Sequence, residues 1–196
     1  MINTYSGAIH LDLGKRQTLD FGGVKLHYIK ADLDRYLVFP DSTGAICVGV
    51  DPGIHFGITI LSHFYVGVMW GALPHLDQFP GVEAINFVHR MLSNESPWEM
   101  IFRSGVAKVI RVEGPAYREM VGQPLLEQVR FGFAYGFMQM FKDVSYMQPN
   151  TARYRAFGHG TKAGKDIWVN VDENAADSIG LALGAAYDYV SQFERA

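Results

Sequence analysis

The apolar run AICVGVD (45–51) sets the firmest limit on how this chain can fold. It is short, rich in β-branched residues and free of polar alternation, which predicts a β-strand covered on both faces. The run ends in Asp51 and is broken by Pro52-Gly53. VAKVIRVEG (106–114) has the same character and carries Glu113 at its end. Because strands of this kind lie in sheets with helices on both faces, we predict an α/β fold.

The segments around these two strands predict the order of the fold. Strand-like patterns occur in FGITILS (56–62), FYVGVMWGAL (64–73) and VSYMQP (144–149). Helical patterns occur in GVEAINFVHRML (81–92), PLLEQVRFGFAYGFMQMF (124–141) and NAADSIGLALGAAYDYVSQF (174–193). Three strands in succession, followed by alternating helices and strands, predict a mixed five-stranded sheet whose first three strands are antiparallel.

Residues 1–44 are predicted to be an N-terminal extension, and residues 45–196 the main domain. QTLDFGGVKLHYI (17–29) alternates on both sides of Gly22-Gly23, which predicts a β-hairpin. The turn cluster PDSTG (40–44) marks the boundary. The extension could enlarge the sheet, a dimer contact or a DNA-binding surface, and the sequence leaves these open.

Charge gives no simple indication of a nucleic-acid partner. The net charge is -3 and the pI is about 6.1, whereas DNA-binding proteins often carry an excess of positive charge. Residues 142–165 form the most basic segment, with one acid, Asp143. Its cations are Lys142, Arg153, Arg155, Lys162 and Lys165. The segment predicts either a DNA-binding patch or a solvated basic loop.

Composition also restricts the cellular setting. No apolar run is long enough to cross a bilayer, and the first residues lack the pattern of a secretory signal. Cys47 is the only cysteine, so a disulfide framework and a cysteine-based zinc site are excluded. We expect a cytoplasmic protein with no membrane partner.

Three acids occur where a solvated acid is not expected. Asp51 and Glu113 end buried strands, and Asp177 lies in a helix of Ala, Gly and Leu. Buried carboxylates are costly unless they are paired or bind a metal. Each acid also has an ordinary explanation. Asp51 could belong to a turn before Pro-Gly, Glu113 could lie at a strand edge, and Asp177 could pair with a nearby base. Together they predict a site for two Mg²⁺ or Mn²⁺ ions, which activate water and stabilise the leaving oxygen in phosphodiester hydrolysis.

Five segments in order resemble the motifs of RuvC-type Holliday junction resolvases, which have an RNase H-like fold. They are VGVDPGIHFGITIL (48–61), VIRVEGPAY (109–117), QVRFGFAYG (128–136), ARYRAFGHGTKAGK (152–165) and ENAADSIGLALGAAY (173–187). The resemblance covers about residues 45–190. It implies a homodimeric, metal-dependent endodeoxyribonuclease of DNA recombination and repair, which cuts opposed strands of a four-way junction.

The resemblance also implies roles for individual residues. Asp51, Glu113 and Asp177 take the positions of metal ligands. Asn174 takes the fourth position, where an acid or His is more usual, and the adjacent Glu173 is an alternative.

Further roles concern DNA. Arg153 and Lys165 occupy the places of basic residues near the scissile phosphate, and Lys162 competes with Lys165 for its place. Tyr117 takes the role of an aromatic residue that stacks on a base of the opened junction, although it lies one position late. Arg155 belongs to the same DNA-binding patch.

Three other functions are consistent with parts of this pattern. The same fold could cut other branched DNA or RNA–DNA hybrids. A catalytically inactive junction-binding protein is a second alternative, and Asn174 is its main support. An actin-like ATPase also uses an Asp-Gly turn after its first strand, but this chain is short and shows a single phosphate loop.

Overall fold

The computed structural model describes residues 15–31, 44–62, 65–74, 79–115, 123–157 and 171–194. The strands are β1 (Gln17–Phe21), β2 (Val24–Ala31), β3 (Ala45–Asp51), β4 (His55–Leu61), β5 (Val66–Ala72), β6 (Ala107–Glu113) and β7 (Asp143–Met147). The helices are α1 (Pro80–Met91), α2 (Glu99–Arg103), α3 (Gln123–Met138), α4 (Pro149–Phe157) and α5 (Glu173–Glu194).

The strands form one mixed sheet in the order β1-β2-β5-β4-β3-β6-β7. β3, β4 and β5 are antiparallel neighbours, whereas β6 pairs parallel to β3 and β7 parallel to β6. The predicted mixed α/β sheet with three antiparallel strands at its start is therefore confirmed. The sheet has seven strands rather than five because the N-terminal hairpin joins its edge.

The hairpin forms where the sequence predicted it. Gly22 and Gly23 have φ values of 60° and 82°, which residues with side chains rarely adopt and which a tight hairpin turn requires. β2 then pairs with β5, with Tyr28 opposite Met69. The extension thus covers an edge that β5 would otherwise expose.

Helices cover both faces of the sheet. α1 and α3 pack on one face, where Phe56, Phe87 and Phe133 meet in the larger core cluster. α5 lies on the other face over β3 and β4, and α4 packs beside it. This arrangement explains the continuous apolar character of β3, since both of its faces are buried.

Two short helices were not predicted. α4 occupies part of the basic segment read as loop or patch, and Pro149, assigned from sequence to the last strand, opens it instead. Proline suits a helix start because its φ is fixed and its missing N–H has no partner there. α2 has five residues and carries an ion pair of 2.9 Å between Glu99 and Arg103. Its single turn is too short to give a periodic signal.

Candidate active site

Asp51 and Glu113 lie side by side at one edge of the sheet. β3 and β6 run parallel, and their last paired residues are Val50 and Val112. The next residue of each strand is the acid, so both carboxyl groups leave the sheet at the same edge. Asp51 is buried at 8% exposure, and its side chain is hydrogen-bonded to that of Glu113.

α5 brings the third acid to this edge. Asp177 acts electrostatically on Asp51, and it lines the same small cavity as Glu113. Asp177 therefore lies near the two strand-end acids, and the role of the three residues as metal ligands stays a prediction.

Two glycines allow α5 to approach the sheet this closely. A Cβ at Gly49 would lie 2.1 Å from the Ser178 carbonyl oxygen, and one at Gly57 would lie 2.1 Å from that of Asn174. Glycine inside a strand often marks such close approach of another backbone. A buried hydrogen bond of 2.8 Å between the Thr59 and Ser178 hydroxyls fixes the helix on β4.

Electrostatics in the site favour a bound cation. The pKa of Asp51 is well above its ordinary value, chiefly because of burial. The hydrogen bond to Glu113 and the negative charges of Glu113 and Asp177 raise it further, while Arg130 opposes them. Burial beside two other acids thus penalises the charged form of Asp51, and a divalent cation would offset that penalty.

The donor set suits a hard divalent metal. Carboxylate oxygens are the preferred protein ligands of Mg²⁺ and Mn²⁺, and Mg²⁺ keeps several of its waters. Among the described residues, no group of three or more His, Cys, Asp or Glu side chains already forms a metal-binding cluster. Metal binding by these three acids therefore stays a prediction.

Arg130 is the site residue that sequence analysis missed. It lies on α3 with 5% exposure, and its Nε donates a 2.9 Å hydrogen bond to the Glu113 carbonyl oxygen. Its guanidinium also pairs with Glu127. A lone arginine within the apolar helix segment QVRFGFAYG was the available signal, because a buried cation requires partners. Arg130 fixes the end of β6 from which Glu113 projects.

Asn174 lies one helical turn before Asp177, at the start of α5. Its backbone N–H and its side-chain amide both donate to Asp172 Oδ1, each at 3.0 Å. Asp172 therefore caps the helix and fixes the Asn174 side chain. Glu173, the alternative fourth ligand, is exposed.

The predicted DNA-binding residues have different surroundings. Arg153 lines the cavity next to Glu113, with its Nη2 3.9 Å from Asp177 Oδ1. Arg155 instead forms a 2.6 Å ion pair with Asp188, which also pairs with the buried Arg111. The charge of Arg155 is thus largely engaged within the protein. Tyr117, Lys162 and Lys165 lie outside the described residues.

Comparison with known proteins supports the fold. No protein-family model and no curated protein matches this sequence. A structure of Thermus thermophilus RuvC is similar, with a TM-score of 0.52 and 18% identity, covering 76% of this chain and 97% of that one. RuvC from T. thermophilus in complex with Holliday junction substrate gives a TM-score of 0.51 and 15% identity, covering 75% and 94%.

The chain therefore has a RuvC-like, RNase H-like fold, as the sequence predicted. Within the described part of the chain, every helix is too short or too polar to span a bilayer.

Proposed function

We propose that this protein is a metal-dependent endonuclease that resolves four-way DNA junctions by paired, symmetric cuts. The observation that carries the proposal is the interaction of Asp51 with Glu113 at one edge of the sheet, with Asp177 near enough to raise the pKa of Asp51. The similarity to RuvC in complex with Holliday junction substrate supports the choice of DNA substrate. The sequence motifs resemble those of RuvC-type resolvases, and this resemblance does not depend on the structural similarity.

In this proposal the metal ligands come from two parts of the fold, the strand ends and α5. Asp51 and Glu113 would hold cations at the strand ends, while Asp177 and Asn174 would bind them from α5. Two Mg²⁺ or Mn²⁺ ions held by these residues would supply activation of a water molecule and stabilisation of the leaving oxygen. Arg153 faces the same cavity and would stabilise the charge that develops on the phosphate. Lys165 has the corresponding role by resemblance.

Burial strengthens the charge interactions of the site. Asp51 is shielded from bulk water, and charges interact more strongly in the protein interior than at its surface. Arg130 holds the backbone of Glu113 and lowers the cost of charging Asp51. The negative charges of Glu113 and Asp177 act against that of Asp51, and a cation bound between the acids would reduce this repulsion.

Paired cuts require two active sites, and we propose a homodimer. α3 turns Phe133 and Phe137 into the core but leaves Phe131 and Tyr135 exposed and stacked, with ring centroids 5.5 Å apart. An exposed aromatic pair on a helix suits contact with a second copy. Sedimentation of the wild type should give a dimer and Phe131→Glu a monomer. A wild-type monomer at micromolar concentration would refute the dimer.

The test of the function is cleavage of a labelled four-way junction in a series of divalent metals. We expect symmetric nicks with Mg²⁺ or Mn²⁺, and none with EDTA or with Asp51→Asn. Glu95→Gln, which alters an exposed acid in the same chemical way, is the matched control and should cut normally. Full cleavage in EDTA would refute the proposal.

A substrate panel separates the alternatives. Equal cutting of linear duplex, flaps or RNA–DNA hybrids would favour a broader RNase H-like nuclease. Tight junction binding without cleavage under any divalent ion would favour an inactive junction-binding protein.

A further inference from the structure

A row of directly paired residues connects the acidic site to the N-terminal hairpin. Asp51 pairs with Gly57, Gly57 with Trp70, Trp70 with His27, and His27 with Thr18. Directly paired residues project from the same face of a sheet. Three strand spacings of about 4.8 Å place His27 about 14 Å from Asp51 along this row. The hairpin thus continues the face on which the acids lie.

That continuation contains a groove of about 600 Å³. Its lining residues are mostly basic or aromatic, and they come from both the hairpin and the main sheet. They include Arg16, Lys25, His27, His55, Trp70 and Asp172. Four of the nine lining residues carry a cationic or imidazole side chain and one is acidic, whereas the protein as a whole is acidic.

The groove is preorganised around Arg16. Its guanidinium lies over the Trp70 ring, 5.4 Å from the centroid, and its Nε donates to His27 Nδ1 at 3.2 Å. Stacking and a neutral acceptor hold the guanidinium without neutralising it, so its other N–H groups keep the planar fork that matches a phosphate. Burial, Arg16 and Lys25 lower the pKa of His27, and the charge of Asp172 opposes them.

Two acids lie close to this positive charge without forming an ion pair with it. Asp20 lies opposite Lys25, and its Oδ1 accepts from the Gly23 N–H at 3.2 Å. Asp172 accepts from Asn174 at the start of α5. Among the described residues, neither Arg16 nor Lys25 forms an ion pair. Both cations are exposed.

We propose that this groove binds backbone phosphates of the DNA strand that leads away from the cleavage site, with Arg16 and Lys25 as the contacting cations. The proposal rests on the proposed function for the identity of the substrate. A distance of about 14 Å corresponds to about four base-pair steps at 3.4 Å each. The N-terminal extension would then lengthen the DNA-binding surface without reading sequence.

Salt dependence of DNA binding is the test, because it counts phosphate contacts and does not require cleavage. Each lost contact lowers the slope of log K against log salt by about 0.9. The double variant Arg16→Ala, Lys25→Ala should therefore lose about 1.8 from the slope, and its affinity deficit relative to wild type should shrink about 12-fold between 50 and 200 mM salt. Anisotropy of a labelled junction and a labelled linear duplex in Ca²⁺ gives both values.

A matched control removes two positive charges elsewhere. Lys30 is on β2 but alternates to the opposite face from Lys25, and Arg103 is an exposed residue of α2. Lys30→Ala, Arg103→Ala should keep the wild-type slope. All variants should retain the wild-type melting temperature, which excludes a loss of fold as the cause.

The outcomes separate the two proposals. An unchanged slope in the groove variant, with normal wild-type binding, would overturn the groove and leave the nuclease proposal standing. A reduced slope without preference for the junction would support the groove and count against junction resolution. Equal loss of slope in the control would also overturn the groove, because net charge alone would explain it. Failure of the wild type to bind either DNA would overturn both.

Discussion

The close approach of α5 to the sheet makes Gly57→Ala the sharpest perturbation of the site. Gly57 is paired directly with Asp51 and lies under the first turn of α5. The added methyl carbon would be 2.1 Å from the Asn174 carbonyl oxygen, where ordinary contact begins at 3.4 Å. The obstacle is backbone and cannot rotate away, so the helix must retreat by about 1.3 Å.

This displacement acts on stability and on catalysis through different routes. Overpacking a close-packed contact costs about 1–3 kcal/mol of folding free energy. Asp177 moves with the helix, and a shift of about 1 Å in a catalytic group can reduce the rate about 100-fold. We therefore expect a destabilised but folded enzyme that cuts the junction about 100-fold more slowly.

Urea denaturation and single-turnover junction cleavage measure the two effects. Gly105→Ala is the control, since a Cβ there meets nothing within 4 Å and the residue is exposed. That variant should match the wild type in both assays. Cleavage at the wild-type rate by Gly57→Ala would show that the position of α5 does not affect the chemistry, which would contradict this prediction.

Other predictions follow from individual contacts. The pKa of Asp51 is raised in the folded protein, so the stability that Asp51 contributes is present at low pH and is lost as the pH rises through the folded-state pKa. Asp51→Asn should therefore raise the melting temperature of the metal-free protein at pH 7 and flatten the pH dependence of that temperature. Arg111→Met should cost about 2–3 kcal/mol in urea denaturation, less than a fully buried pair because Asp143 is 42% exposed. Arg153→Ala should slow cleavage about 100-fold while junction affinity changes little, measured by single-turnover kinetics and anisotropy.

The fold and the acids were predictable because their signals are local. A strand covered on both faces has a continuous apolar pattern, so Asp51 and Glu113 stand out at the ends of such runs. The hairpin was predictable from Gly22-Gly23 because its turn needs positive φ values. The parallel pairing of β3 with β6 then follows from the α/β order, since a helix-containing connection separates the two strands.

Other features depend on long-range pairing that no local pattern encodes. Arg130 is fixed by a carbonyl group 17 residues away, and Arg155 by an acid 33 residues away. A sequence shows the charge of each arginine but not its partner, so the ion pair of Arg155 with Asp188 and the contact of Arg130 with Glu113 could not be predicted. The pairing of the hairpin strand β2 with β5 also joins segments that are distant in the sequence, so no local pattern predicts it.

Equilibrium binding of Mn²⁺, followed by loss of the free-ion electron paramagnetic resonance signal, measures directly whether the three acids form a metal site. We expect two bound ions per chain for the wild type and weaker, incomplete binding for Asp51→Asn. Absence of binding at millimolar Mn²⁺ in the presence of junction DNA, or binding that Asp51→Asn leaves unchanged, would contradict this expectation.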